Sequence, residues 1–196
     1  MKAVNFLLAG VGGQGTLLAS DVVAEVGMQH GLDVKKSEVH GMSQRGGAVT
    51  SHVRWAKEVA SPLTEKGKVD YFIAQEILEA LRWIEFVAPG GTVLLSDQKL
   101  PPTSTVFGED QYPDQDKALS IVKQAAQTVL FVEASRVATE LGNPRVANTV
   151  LLGALSALLE VSEEDWLHVI AERVPKRHLE INRKAFLAGR QGEWKT

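Results

Sequence analysis

The chain has 196 residues, 44% of them hydrophobic and 23% charged, with a formal net charge of −3. It therefore reads as an ordinary soluble globular protein, long enough to bury a core as a single domain over residues 1–196. The acidic balance argues against nucleic acid as a partner, and the absence of cysteine excludes disulfides, thiolate catalysis and any iron–sulfur cluster held by this chain alone.

Met1-Lys2 leads straight into an apolar run with no signal peptide, and no stretch reaches the ~20 apolar residues of a membrane span; the expected location is the cytoplasm. Ala3–Ala9 predicts a buried parallel strand and Thr16–Gln29 a helix stopped by Gly31. Asp33–Val39 predicts a second strand, followed by a glycine-rich loop over 41–47. Ala48–Trp55 and Val69–Ala74 predict further strands. A helix is expected from Glu76 to Val87, stopping at Pro89-Gly90-Gly91, then a strand over Thr92–Ser96. Residues 98–116, with Pro101, Pro102 and Pro113, read as a loop excursion. Lys117–Ala126 predicts a helix and Val129–Glu133 a strand. The remainder is helical, with breaks near Gly142-Asn143-Pro144 and Val161-Ser162, where Ser162 precedes three acids as an N-cap. The expected fold is α/β: three layers, α/β/α, around a mostly parallel or mixed sheet, with a Rossmann-like first βαβ unit and a helical C-terminal tail.

Three polar clusters could carry chemistry. The first is the turn Gly10-Val11-Gly12-Gly13-Gln14-Gly15, between a strand and a helix. Its glycines permit positive φ and close backbone approach, and a helix start offers N–H donors to an anion. Gly10, Gly12 and Gly15 match the dinucleotide pattern, with Glu38 near the place of a ribose-binding acid. Tight strand–helix packing with nothing bound is the alternative. Gln14 is polar where that pattern carries a small residue. The second cluster is Glu38-Val39-His40-Gly41-Met42-Ser43-Gln44-Arg45-Gly46-Gly47. Arg45 offers a planar fork for a carboxylate or phosphate and His40 a proton exchanged near neutral pH, making Glu38, His40 and Arg45 the catalytic candidates. A Glu38–Arg45 ion pair and a core His40 remain open. In the third cluster, Gly142 to Val150, Asn148 sits in an otherwise apolar helix, where a buried amide needs a ligand or a loop backbone as partner.

Val150, Leu151, Ala154, Leu155 and Leu158 read as core, or core plus subunit interface. On the last helix Asn182 and Phe186 share a face, with Phe186 assigned to the core. His30, His52, His168 and His178 lack the spacing of a metal site, and no metal ligand set is assigned.

Taken together, Gly-x-Gly-Gly-Gln-Gly, Glu-x-His-Gly-Met-Ser-Gln-Arg-Gly-Gly, Gly-Asn-x-Arg-x-x-Asn and the late Glu-x-Asn-x-x-Ala-Phe resemble the gamma subunit or domain of 2-oxoacid:ferredoxin oxidoreductases over about residues 3–189. The form of the second motif most resembles the indolepyruvate branch, whose small chain is a beta subunit. The resemblance implies a subunit of an enzyme that oxidatively decarboxylates a 2-oxo acid to an acyl-coenzyme A and passes electrons to ferredoxin. Thiamine diphosphate and 4Fe–4S clusters would sit on a large partner chain, in a hetero-oligomer or homodimer. Gly10, Gly12, Gly13, Gln14, Gly15, Gln44, Arg45 and Asn148 would then help to form the substrate or coenzyme A side of the shared site. A free-standing NAD(P)-binding oxidoreductase and a non-catalytic nucleotide- or coenzyme A-binding module are the alternatives.

Overall fold

Apolar residues on both sides of the first strand decide the layering. In the computed structural model, which describes residues 3–40, 47–101, 112–192 and 194, β1 (Val4–Val11) sends Phe6 and Leu8 to one face and Leu7 and Ala9 to the other. All four are fully buried, because a pleated strand alternates its side chains across the sheet. Each pair seeds a separate apolar cluster.

The other strands are β2 (Asp33–His40), β3 (Ala48–Ala56), β4 (Val69–Ala74), β5 (Val87–Ser96) and β6 (Thr128–Val132). They form one six-stranded mixed sheet in the order β2-β3-β1-β4-β5-β6. Pairing is parallel from β1 through β4 and β5 to β6, and antiparallel between β1 and β3 and between β3 and β2. Against the Phe6–Leu8 face pack α1 (Thr16–Gln29), α4 (Ala134–Glu140), α5 (Ala147–Ser156), α6 (Glu163–Arg173) and α7 (Leu179–Gln191). Two helices, α2 (Ile77–Trp83) and α3 (Gln115–Ala125), cover the Leu7–Ala9 face. The expected three layers are present. Among the described residues no helix is long and apolar enough to cross a membrane.

Two expectations are corrected. The first βαβ unit is split: β2 runs parallel to β1 but does not touch it, because β3 lies between them, antiparallel to both. The segment Glu76–Val87 is not one helix; α2 ends at Trp83, a 3-10 turn spans Ile84–Phe86, and β5 already starts at Val87. Pro89-Gly90-Gly91 is an irregularity inside β5, marked by a register shift between Val69 and Tyr71 on β4. Gly91 is needed there, since a Cβ would lie 2.8 Å from the Val69 carbonyl oxygen.

Helix starts follow from local polar groups. Ser162 Oγ accepts from Asp165 N at 3.1 Å, as expected for the cap of α6. Asp97, just beyond β5, accepts from Ser135 N and Arg136 N at 2.7 and 3.1 Å and so caps α4 from a distance in sequence. Helices α5 and α7 cross backbone to backbone. A Cβ on Gly189 would lie 1.9 Å from the Val150 carbonyl oxygen, and one on Gly153 would lie 2.1 Å from that of Phe186. The apolar stripe of α5 is buried through Leu155, whereas Leu158 lies past its end and is 37% exposed. Phe186 is buried as expected.

His52 on β3 is buried beneath the edge of the Phe86 ring, at 5.7 Å between centroids, and its Nδ1 accepts from Thr64 N at 3.4 Å. Burial disfavours the imidazolium, so its pKa lies below the ordinary 6.5.

Gly189→Ala is expected to lower the unfolding free energy by about 2 kcal/mol through overpacking against Val150; urea denaturation measures it, and a change under about 0.5 kcal/mol would contradict the backbone crossing. For His52 the unfolded chain binds the extra proton first. Its contribution to stability is therefore fully favourable above about pH 6.5 and is lost as pH falls from there toward the depressed folded value. Denaturation at pH 7.5 and 5.0 should show a smaller loss of stability in His52→Gln than in the wild type.

Candidate functional site

The glycine turn closes on itself through one side chain. After β1 the backbone reaches α1 by way of Gly13 at φ +105° and Gly15 at φ +77°, a left-handed conformation that favours glycine. Gln14 then folds back over the strand it has just left. Its Oε1 accepts from Val11 N at 2.6 Å, and its Nε2 donates to the Gln75 carbonyl at 2.9 Å and to Gln98 Oε1 at 2.8 Å. The Thr16 hydroxyl donates to Gln75 Oε1 at 2.9 Å. Gly10 lies directly beneath, since a Cβ there would sit 2.7 Å from Gln14 Oε1.

This arrangement occupies a particular place. α1 leaves β1 toward one face and α2 leaves β4 toward the other, so the carboxyl ends of β1 and β4 flank the crevice in which open α/β sheets hold ligands. Here the amides of Gln14, Gln75 and Gln98 bridge β1, β4 and β5 across that crevice. The dinucleotide reading loses its geometry on a second count. Glu38 lies on β2, two strands from β1 and hence roughly 10 Å away. It stands in register with Ser51, and Ser51 with Leu8, below the level of the turn.

The open space lies on the other flank. A cavity of about 360 Å³ is lined by Val11, Gly12, Gly13, Gly15, Thr16, Leu17 and Val49. It sits between the end of β1, the start of β3 and the first turn of α1, where the helix dipole favours negative charge. No acidic residue occupies that first turn. A larger cavity of about 460 Å³, beside Asn5, Arg54 and Lys68 at the opposite end of β1, contains none of the candidate residues. There Arg54 donates to the carbonyls of Ser61 and Leu63 and holds their loop.

The structure gathers some of the sequence candidates and separates others. Gly10, Gly12, Gly13, Gln14, Gly15 and Asn148 come together, with Asn148 Nδ2 donating to the Gly15 carbonyl at 3.2 Å. Asn148 thus holds the turn through its amide nitrogen. The second motif approaches the same place at both flanks: His40 stands opposite Val49 and Val49 opposite Gly10, while Gly12 N donates to the Gly47 carbonyl at 2.9 Å. Gln44, Arg45 and the His40 side chain lie outside the described residues. Glu38 is placed elsewhere, paired with Lys36, which also binds Asp21 of α1. Burial alone would lower the Lys36 pKa; the hydrogen bonds that its ammonium donates to the Asp21 and Glu38 carboxylates outweigh that and raise it. Glu38, a catalytic candidate by sequence, is linked through Lys36 to Asp21 of α1.

Sequence reasoning missed Thr16, Gln75, Gln98 and the buried carboxylate Glu76. Glu76 caps α2 by accepting from Glu79 N at 3.0 Å, and its other oxygen takes Leu100 N at 3.2 Å and the Tyr112 hydroxyl. One carboxylate oxygen thus joins Leu100 to Tyr112. Burial and this carboxylate push the Tyr112 pKa well above its ordinary value. Burial also raises Glu79, which is paired with Arg82 at 2.6 Å. The available signal was the polar pair Gln75-Glu76, immediately after a fully apolar strand end.

Comparison with known proteins places this geometry in context. The family profile described as pyruvate ferredoxin/flavodoxin oxidoreductase matches residues 5–192. The indolepyruvate oxidoreductase subunit IorB of Thermococcus kodakarensis is 36% identical over 192 residues, covering 96% of this chain and 95% of that protein. Among solved structures, the gamma subunit of a keto/oxoacid ferredoxin oxidoreductase from Geobacter sulfurreducens superposes with a TM-score of 0.70 at 26% identity, covering 96% of each chain. A 2-oxoglutarate:ferredoxin oxidoreductase from Magnetococcus marinus, solved with 2-oxoglutarate, coenzyme A and succinyl-CoA bound, shares the fold. Its TM-score is 0.74 at 24% identity, and 96% of this chain matches 30% of that one.

Gln14→Met keeps the side-chain bulk but leaves Val11 N, the Gln75 carbonyl and the Gln98 amide without their partner. Each buried group left unpaired costs about 1–3 kcal/mol, so the urea midpoint should fall clearly. An unchanged midpoint would show that the staple contributes nothing.

Proposed function

We propose that this chain, which belongs to the pyruvate ferredoxin/flavodoxin oxidoreductase family, forms the coenzyme A side of an active site completed by a larger partner. The chain is a subunit of a 2-oxoacid:ferredoxin oxidoreductase complex. The finer assignment is an enzyme that takes indolepyruvate or another aryl pyruvate to its acyl-coenzyme A and delivers electrons to ferredoxin, in line with the name of the Thermococcus relative. Because this chain has no cysteine, the iron–sulfur clusters are assigned to the partner, together with thiamine diphosphate, which supplies the decarboxylation chemistry when bound.

The observation that carries the coenzyme A assignment is the cavity beside α1. It is walled by the backbone of Gly12, Gly13 and Gly15, by the apolar side chains of Val11, Leu17 and Val49, and by the positive end of a 14-residue helix without acids in its first turn. Such a wall suits a ligand that is apolar along one stretch and anionic at another. The residues of this chain do positioning work. The glycines let the ligand approach the backbone, the α1 N-terminus faces its charge, and Gln14 keeps the turn in one shape while it seals the neighbouring crevice. The contribution of Gln44 and Arg45 in the second motif is assigned from the family resemblance.

The experiment is to purify the chain alone and with its larger partner, and to assay coenzyme A-dependent oxidation of aryl pyruvates with a viologen acceptor. Turnover is expected only for the complex. Leu17→Glu adds a carboxylate at the cavity wall, in a first turn where it also suits the helix dipole. It should raise KM for coenzyme A about three- to tenfold, as expected for one like-charge contact of order 1 kcal/mol, and leave KM for the 2-oxo acid unchanged. Robust turnover without the partner, or an unchanged KM for coenzyme A, would refute the assignment.

A further inference from the structure

Between α1, α5 and α7 the apolar layer contains three polar side chains in succession. Asn148, Thr149 and Asn182 expose 4%, 2% and 7% of their surface. Asn148 Nδ2 donates to the Gly15 carbonyl at 3.2 Å, the same oxygen that takes the first helical hydrogen bond of α1 from Ala19 N at 3.0 Å. The Thr149 hydroxyl lies 2.7 Å from Asn182 Oδ1 and 3.4 Å from Asn148 Oδ1. It has a single proton, which the shorter contact takes. Asn182 Nδ2 donates in turn to the His178 carbonyl at 2.9 Å. Two adjacent residues of α5 thus reach in two directions: Asn148 to the residue before α1, and Thr149, through Asn182, to the residue before α7.

Apolar side chains would fill this volume without needing any particular alignment, whereas a hydrogen-bonded set fits only one arrangement of the two helices. The alignment matters at Gly15. A Cβ there would lie 2.5 Å from Asn148 Nδ2, so a small slide of α5 either drives the amide into the turn or pulls it out of reach of the carbonyl. We infer that Thr149 and Asn182 are positioning residues of the glycine turn. They hold α5 against the start of α7 so that Asn148 fixes Gly15, and with it the α1 N-terminus on the cavity wall. The consequence for binding rests on the reading that this cavity receives coenzyme A.

The test uses the complex of this chain with its larger partner and three variants. Thr149→Val keeps the shape and removes the hydroxyl, Thr149→Ser restores the hydroxyl, and Leu17→Glu perturbs the cavity wall directly. Loss of one buried hydrogen bond corresponds to a factor of about three to ten. Thr149→Val should raise KM for coenzyme A by that factor, with kcat and KM for the 2-oxo acid within about twofold of the wild type, and Thr149→Ser should bring KM back. A role confined to stability would lower the active fraction, and so kcat, without moving KM. If Thr149→Val yields no complex, Thr149→Ala takes its place with the same expectation. An unchanged KM in Thr149→Val beside a raised one in Leu17→Glu would overturn the inference alone. Unchanged values in both would overturn it together with the reading of the cavity.

Discussion

The amide of Gln14 is the contact on which the site depends. Three parallel strands end side by side at the carboxyl edge of the sheet, and each releases polar backbone groups that the helices beyond cannot satisfy. One side chain takes a donor from β1 and gives its two protons to the residues that follow β4 and β5. Without it, Val11 N and the Gln75 carbonyl would need water in a crevice bordered by Gly10, Thr16 and Gln75. With it, the crevice is bridged, and a cavity opens on the β3 side of the turn.

That asymmetry follows from strand order. Inserting β3 next to β1 removes the neighbour a nucleotide-binding sheet would place there, and it opens space between the α1 start and Val49. The same insertion carries the second motif to the turn, because the hairpin strands β2 and β3 have their connecting ends level with Gly10 and Gly12. On the helical side, Asn148 completes the enclosure from α5. Turn, hairpin strands and helix meet there, although the helix lies more than a hundred residues further along the chain.

Much of this was legible in the residues. Thr16–Gln29 and Val69–Ala74 have the bounds that apolar spacing and flanking glycines predict, and Asn148 of the third motif meets the glycine turn of the first. Other features had no local signal. Periodicity reports that a strand is buried on both faces, not which strand lies beside it, so the antiparallel β3 could not be read from Ala48–Ala56. Pro89-Gly90-Gly91 carries the chemistry of a turn but serves a bulge, because the close approach to Val69 comes from a strand distant in sequence. Gln14 stood out as polar among glycines, yet its partners Gln75 and Gln98 lie 61 and 84 residues away. Glu38 looked like a ribose ligand only while β2 was taken to lie beside β1.

The split first unit also sets the order in which the molecule can be built. β1 lies at the sheet's centre, yet both its partners come later in the chain: β3 at residues 48–56 and β4 at 69–74. For the time needed to synthesise some fifty residues, an adhesive strand with two open edges has nothing of its own to pair with. Helix α1, folding locally behind it, covers one face but neither edge. Early pairing of β2 with β3, followed by docking of β3 on β1, would shorten that exposure.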